Sequence, residues 1–250
     1  MIARLRPILR DALPPLRQAA LLYGLCALCI LIEIVLQAGD RHWLASPRLR
    51  QTVYEYAGFW PGLMGPWQPN YPLQPWVMFL SHAVLHGGLL HLIFNMATLF
   101  SLGLPVQDRV GQRGLGLLLL ASVLSGGLGY GLLTNSPSPM VGASGGLFGL
   151  AGGLLAWNYI DRFASARKLW PVLRATLLLV AMNVALWWLM QGHLAWQTHL
   201  GGFIGGWSLG TQLLLVFSGV VSAVPLVAFA YGVRRIPLSL VGLLQYIGPT

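Results

Sequence analysis

Acidic residues are scarce in this chain: Asp11, Glu33, Asp40, Glu55, Asp108 and Asp161 are the only six among 250 residues. No apolar run contains an Asp, which excludes the paired intramembrane carboxylates of an aspartyl protease. An HExxH zinc motif is missing too, so a metalloprotease of that kind is excluded. Two cysteines, Cys26 and Cys29, cannot make a disulfide framework; three apart in one apolar run, they read as small packing residues rather than a metal or redox pair. Charge of either sign is low, at 8% of residues against 56% hydrophobic, with a mean hydropathy of +0.68. That balance excludes an ordinary soluble core and predicts an all-α polytopic membrane protein.

Apolar runs long enough to cross a bilayer as helices occur at 19–38, 88–104, 115–133, 144–160, 170–190 and 196–215. Six spans are expected from them, with a further apolar stretch in the C-terminal tail. The net charge of +9 does not form a nucleic-acid stripe. Its basic residues follow topology instead. Arg4, Arg6, Arg10 and Arg17 precede the first run, Arg109 and Arg113 separate the second from the third, and Arg162, Arg167, Lys168 and Arg174 separate the fourth from the fifth. By the positive-inside rule these segments are cytoplasmic, and the N-terminal segment 1–17 lies with them. The first run is long and has no evident cleavage site, so it is expected to be retained as a span. The first loop, about 39–87, carries Trp43, Trp60, Trp67 and Trp76 and is expected at the membrane surface.

Glycine is abundant and patterned. In GASGGLFGLAGG, Gly145, Gly149 and Gly153 recur every four residues; in THLGGFIGGWSLG, Gly202, Gly206 and Gly210 do the same. Two such stripes let two helices approach closely. Ser144 heads one helix and His199 the other, and the close approach would bring a hydroxyl to a base, as nucleophilic catalysis requires. Alone, Ser144 would equally serve as a helix cap. A third cluster, HGGLLHLIFNM, places His91 and Asn95 on one helix face with His86 in the loop before them. Polar groups within a span are functional candidates by default, here as donors to an oxyanion beside the Ser144 backbone N–H. An interhelical polar clasp, or histidines ligating haem or metal, stay open as readings of the same cluster. No acid lies near Ser144 or His199 in sequence, so a Ser–His dyad is the simplest arrangement, with Asp40 and Glu55 left open as orienting groups. Glu33 lies inside the first run near its outer end, where it would snorkel.

The stretches HGGLLHLIFN, GASGGLFG and HLGGFIGG resemble, in order and placement, those of the rhomboid intramembrane serine proteases, over residues 18–215. The resemblance implies a six-helix bundle with Ser144 as nucleophile, His199 as base, and His91 and Asn95 at the oxyanion. His86, Gly142, Gly145 and Gly202 would support them, and Phe148, four residues after the nucleophile, would pack on the base. It also implies hydrolysis of peptide bonds in or beside transmembrane helices of other membrane proteins, within the lipid bilayer and with no metal, cofactor or nucleic acid. A bacterial inner membrane is the expected location, with the site opening to the external side. A non-catalytic helix-binding relative is the alternative. Two departures stand out: the family's first-loop Trp-Arg pair falls on Trp76-Val77, and a glutamate after the second span on Gln107. The apolar extension 216–250 is unlike the family, and from about 220 onward it resembles a fragment of an EamA-type permease. A transporter is the third, least supported class.

Overall fold

In a computed structural model of the chain, residues 15–44, 46 and 48–212 are described. Those residues are helical, with no strand beyond one isolated pairing of Phe59 with Met140. The tail at 216–250, and most of segment 1–17, lie outside the described residues. Helix α1 is Ala20–Asp40, α2 Leu49–Ala57, α3 Gln74–Ser81, α4 Leu89–Leu133, α5 Ser144–Ala164 and α6 Trp170–Leu189. A seventh helix, α7, begins at 196 and continues to the end of the described residues at 212. Three of these, α1, α4 and α6, are long and apolar enough to cross a membrane by length and composition.

Helix α4 differs from the expected pair of spans joined by a loop at 105–114. A first limb runs on through Pro105 to Val110 and a second limb continues from Gln112, the two meeting at a kink at Gly111, where φ is 70° and ψ 177°. Only glycine takes that conformation without strain. Polar side chains on either side hold this corner in place. Gln107 Nε2 donates to the Gln18 carbonyl at 2.6 Å, Gln112 Nε2 donates to the Arg17 carbonyl at 2.9 Å, and Arg109 makes a two-pronged ion pair with Asp161 at 2.9 and 3.0 Å. The same Arg109 lies over the Trp157 ring, whose Nε1 donates to the Gly210 carbonyl at 2.8 Å. One end of α4, α5 and α7 is thereby tied together.

Between these ties the helices meet backbone to backbone. A Cβ at Gly202 would collide with the Gly145 carbonyl, one at Gly206 with the Gly149 carbonyl, and one at Gly210 would come within 2.9 Å of Gly153 Cα. The third helix at this seam is the second limb of α4. There a Cβ at Gly129 would come within 3.0 Å of Gly201 Cα, and one at Gly126 within 2.9 Å of Thr198 Oγ1. Larger apolar residues fill in around this seam, with Leu118, Leu150 and Trp157 fully buried. By contrast, Val172 is the single buried residue of α6.

Candidate active site

Ser144 is the first residue of α5, so its hydroxyl stands where the first backbone N–H groups of the helix have no intrahelical acceptor. His199 lies in the first turn of α7. With the glycine seam holding the two helices together, Ser144 Oγ and His199 Nε2 are hydrogen-bonded at 2.9 Å. The imidazole is 5% exposed, which keeps bulk water from competing for that bond. Its plane is fixed by the Phe148 ring, stacked at a centroid distance of 4.1 Å and an interplanar angle of 4°. One turn of α5 therefore supplies both the hydroxyl and the surface against which its partner rests.

The other wall of the site comes from the start of α4. The Gly87 N–H donates to His91 Nδ1 at 3.2 Å, which leaves the ring proton on Nε2. A Cβ at Gly142 would lie 2.8 Å from His91 Cε1, 3.0 Å from Nε2 and 3.8 Å from Ser144 Oγ. The His91 ring and the Ser144 hydroxyl therefore border one small space, kept open because residue 142 has no side chain. Asn95 is buried one turn further on; its Nδ2 donates to the His91 carbonyl at 2.8 Å and its Oδ1 has no protein partner. His86 is buried edge-on to His91 at 5.3 Å, with neither ring nitrogen bonded to protein. Burial, with His91 beside it, pushes the His86 imidazole down to about 4.

The first loop is the frame for this wall, and it is more than an anchor. Phe59 is fully buried, edge-on to Phe79, His82 and Tyr130, and its backbone exchanges two hydrogen bonds with Met140 at 3.0 and 2.9 Å. Two residues later the Gly142 N–H donates to the His82 carbonyl at 2.9 Å. The approach to Ser144 is thus stitched to the loop on both sides.

A second tie runs through Arg50, which donates to Glu33 at 2.9 and 3.1 Å, to Asp40 at 2.7 Å and to the His86 carbonyl at 3.0 Å. Tyr54 Oη–H donates to that same carbonyl at 2.6 Å. Burial works against the Arg50 charge, but its bonds to Glu33, Asp40 and Tyr54 hold the guanidinium above its ordinary range. Glu33 therefore does not snorkel. It is 1% exposed and turned inward, because a cation from the loop meets it there.

Neither Asp40 nor Glu55 reaches the imidazole: Asp40 pairs with Arg50, and Glu55 accepts from Gln51 Nε2 at 2.8 Å. The partner of His199 Nδ1 is instead Asn183 Oδ1, at 2.8 Å, from α6. Asn183 belongs to no motif, and the signal for it in the sequence is a lone polar residue inside an apolar run.

Residues 73–216, more than half of the chain, match the Rhomboid domain model. Among similar proteins, RHOMBOID-like protein 4 of Arabidopsis thaliana is 37% identical over 54% of this chain and 34% of its own length. Rhomboid protease GluP of Bacillus subtilis is 33% identical over 63% of this chain and 31% of its own, and human Rhomboid-related protein 3 is 27% identical over 59% and 39%. The chain spans about a third of the length of these relatives. The matched region contains the Ser144–His199 pair and both glycine stripes, and with its apolar helices it establishes an integral membrane protein that belongs to the rhomboid family.

Proposed function

We propose that this chain is an intramembrane serine endopeptidase that hydrolyses peptide bonds in or near transmembrane helices of other membrane proteins. The observation that carries this reading is the 2.9 Å bond from the Ser144 hydroxyl to His199 Nε2, with the ring stacked on Phe148. A serine hydroxyl becomes a nucleophile when a neighbouring base takes its proton. As Ser144 Oγ attacks the scissile carbonyl carbon, its proton passes to His199 Nε2 and the carbonyl oxygen becomes an oxyanion. His91 Nε2–H and the Ser144 backbone N–H are suited to receive that charge, and the second hydrogen of the Asn95 amide adds a third donor. Collapse of the tetrahedral intermediate breaks the C–N bond, and the leaving amine takes the proton from His199. Water, deprotonated by the same imidazole, then releases the acyl group from Ser144.

In this reading six helices cross the bilayer, over 19–38, 88–104, 115–133, 144–160, 170–190 and 196–215. The N-terminus faces the cytoplasm of a bacterial inner membrane, and the site opens to the opposite side. The basic residues at 109, 113, 162, 167, 168 and 174 support that orientation.

Labelling of the purified protein in detergent with a fluorophosphonate tests the proposal. Wild type should react at Ser144, whereas Ser144→Ala and His199→Ala should not, with all three showing the same helical content. A folded wild type that takes up no probe, yet still binds transmembrane peptides, would establish a non-catalytic helix-binding protein instead.

A further inference from the structure

Resting on the reading of Ser144 and His199 as a dyad, we infer that Asn183 is the positioning residue of the base, so that the working unit is Ser144–His199–Asn183. The chain of bonds has one consistent sense. An amide oxygen only accepts, so the contact of His199 Nδ1 with Asn183 Oδ1 puts the proton of the neutral ring on Nδ1, which leaves Nε2 bare to accept from Ser144 Oγ–H at 2.9 Å. That Nδ1–H donates to the Asn183 carbonyl oxygen at 2.8 Å. A carbonyl acceptor at this place selects the tautomer that accepts from serine and disfavours the one that cannot. Phe148 stacks on the plane of the ring but would accept either of its two flipped orientations; the bond from Nδ1–H to Asn183 selects the one that turns Nε2 to Ser144.

The surroundings suit an amide. Beside the imidazole lies a cavity of about 460 Å³, mostly apolar, bordered by Thr176, Val180, Trp187 and Phe203 together with Asn183 and His199. In so poorly solvated a place a neutral hydrogen bond is strengthened, whereas a carboxylate would lose hydration that the site does not replace. Asn183 also arrives from α6, a helix that contributes neither the nucleophile nor the oxyanion donors, so its contact with His199 is made across the fold rather than along one helix. The Cys-His-Asn proteases use an amide in the same position relative to their imidazole, on unrelated folds.

The experiment combines nitrogen NMR of histidine-labelled protein in micelles, with His199 assigned through His199→Ala, and steady-state cleavage of a transmembrane substrate. Wild-type His199 should show a protonated Nδ1 and a bare Nε2. Asn183→Leu, close in volume but without an acceptor, should show averaged tautomers, and kcat should fall roughly 10- to 100-fold with KM within about twofold, a share of what a general base contributes. Asn183→Gln, which keeps a neutral amide carbonyl as acceptor, should restore the Nδ1–H tautomer and part of kcat. A merely structural role would lower thermal stability in Asn183→Leu and leave the tautomer unchanged.

The inference is overturned if wild-type His199 carries its proton on Nε2, or if Asn183→Leu keeps both tautomer and kcat. The wild-type spectrum decides even if Asn183→Leu does not fold. A wild type that neither cleaves nor takes up fluorophosphonate would remove the protease reading, while the tautomer comparison would still report whether Asn183 holds the ring.

Discussion

At Gly142 the backbone takes φ +134°, a conformation L side chains rarely adopt, and its missing side chain is the space between His91 and Ser144. Gly142→Ala should therefore combine backbone strain of about 1–3 kcal/mol with a group placed where the oxyanion is expected to form. Fluorophosphonate labelling should drop at least about tenfold, a loss in the range set by one oxyanion donor, while circular dichroism stays that of wild type. Labelling at the wild-type rate would show that this space is not used. Ser144, His199, Phe148, His91 and Asn95 stand out in the sequence because each sits in a short motif with a fixed spacing. Asn183 has no such partner nearby. It is a single amide in WPVLRATLLLVAMNVALWWL, and its meaning depends on a residue sixteen positions away on another helix.

Helix by helix, the seam between α5 and α7 is made of backbone, so its tolerance differs from that of a side-chain core. Gly206→Ala places a methyl on the Gly149 carbonyl and should destabilise the protein by about 1–3 kcal/mol, as overpacking does. Gly24→Ala in α1 meets nothing within 4 Å and should be neutral or stabilising by up to about 1 kcal/mol, the helix-propensity difference. Thermal unfolding in one detergent, both variants side by side, checks the contrast; equal melting temperatures would deny the seam its role. The stripes of α5 and α7 are legible because a period of four is local. The share of α4 in the seam is hidden, since Gly126 and Gly129 are not four apart and only the packing shows that both face α7. The continuation of the helix through Pro105, with a kink at Gly111 in place of a loop, is hidden for a similar reason: proline and glycine signal a loop, and the side-chain bonds that hold this corner are made to distant residues.

For the whole molecule, the first loop and α1 form one unit through Arg50. Arg50→Ala leaves Glu33 buried without its cation and should destabilise by about 3–5 kcal/mol, as breaking a buried ion pair does. Adding Glu33→Gln should recover part of that loss, and a double variant no better than the single would show that the pair is not coupled. No pattern in the sequence links Glu33 to Arg50 across a turn and a loop.

Stability should also depend on pH through His82 and His86. Burial pushes each imidazole from its ordinary 6.5 to about 4, with His91 adding to the effect at His86. Below about pH 6.5 the unfolded chain takes up protons that the folded one refuses. Stability is therefore full above that value, declines as pH falls toward 4, and levels off below it. His82→Gln should flatten the decline in apparent melting temperature between pH 7 and pH 4, whatever it does to the level at pH 7; an unchanged slope would place the effect elsewhere.

Helix α6 buries little beyond Val172, yet it carries the acceptor for His199 Nδ1. Any force that parts α6 from its neighbours withdraws Asn183 from the imidazole in the same movement. With His199 as the base proposed above, the lateral pressure of a surrounding bilayer would bear on the aim of that imidazole, and membrane thickness and tension would enter the rate as well as the fold.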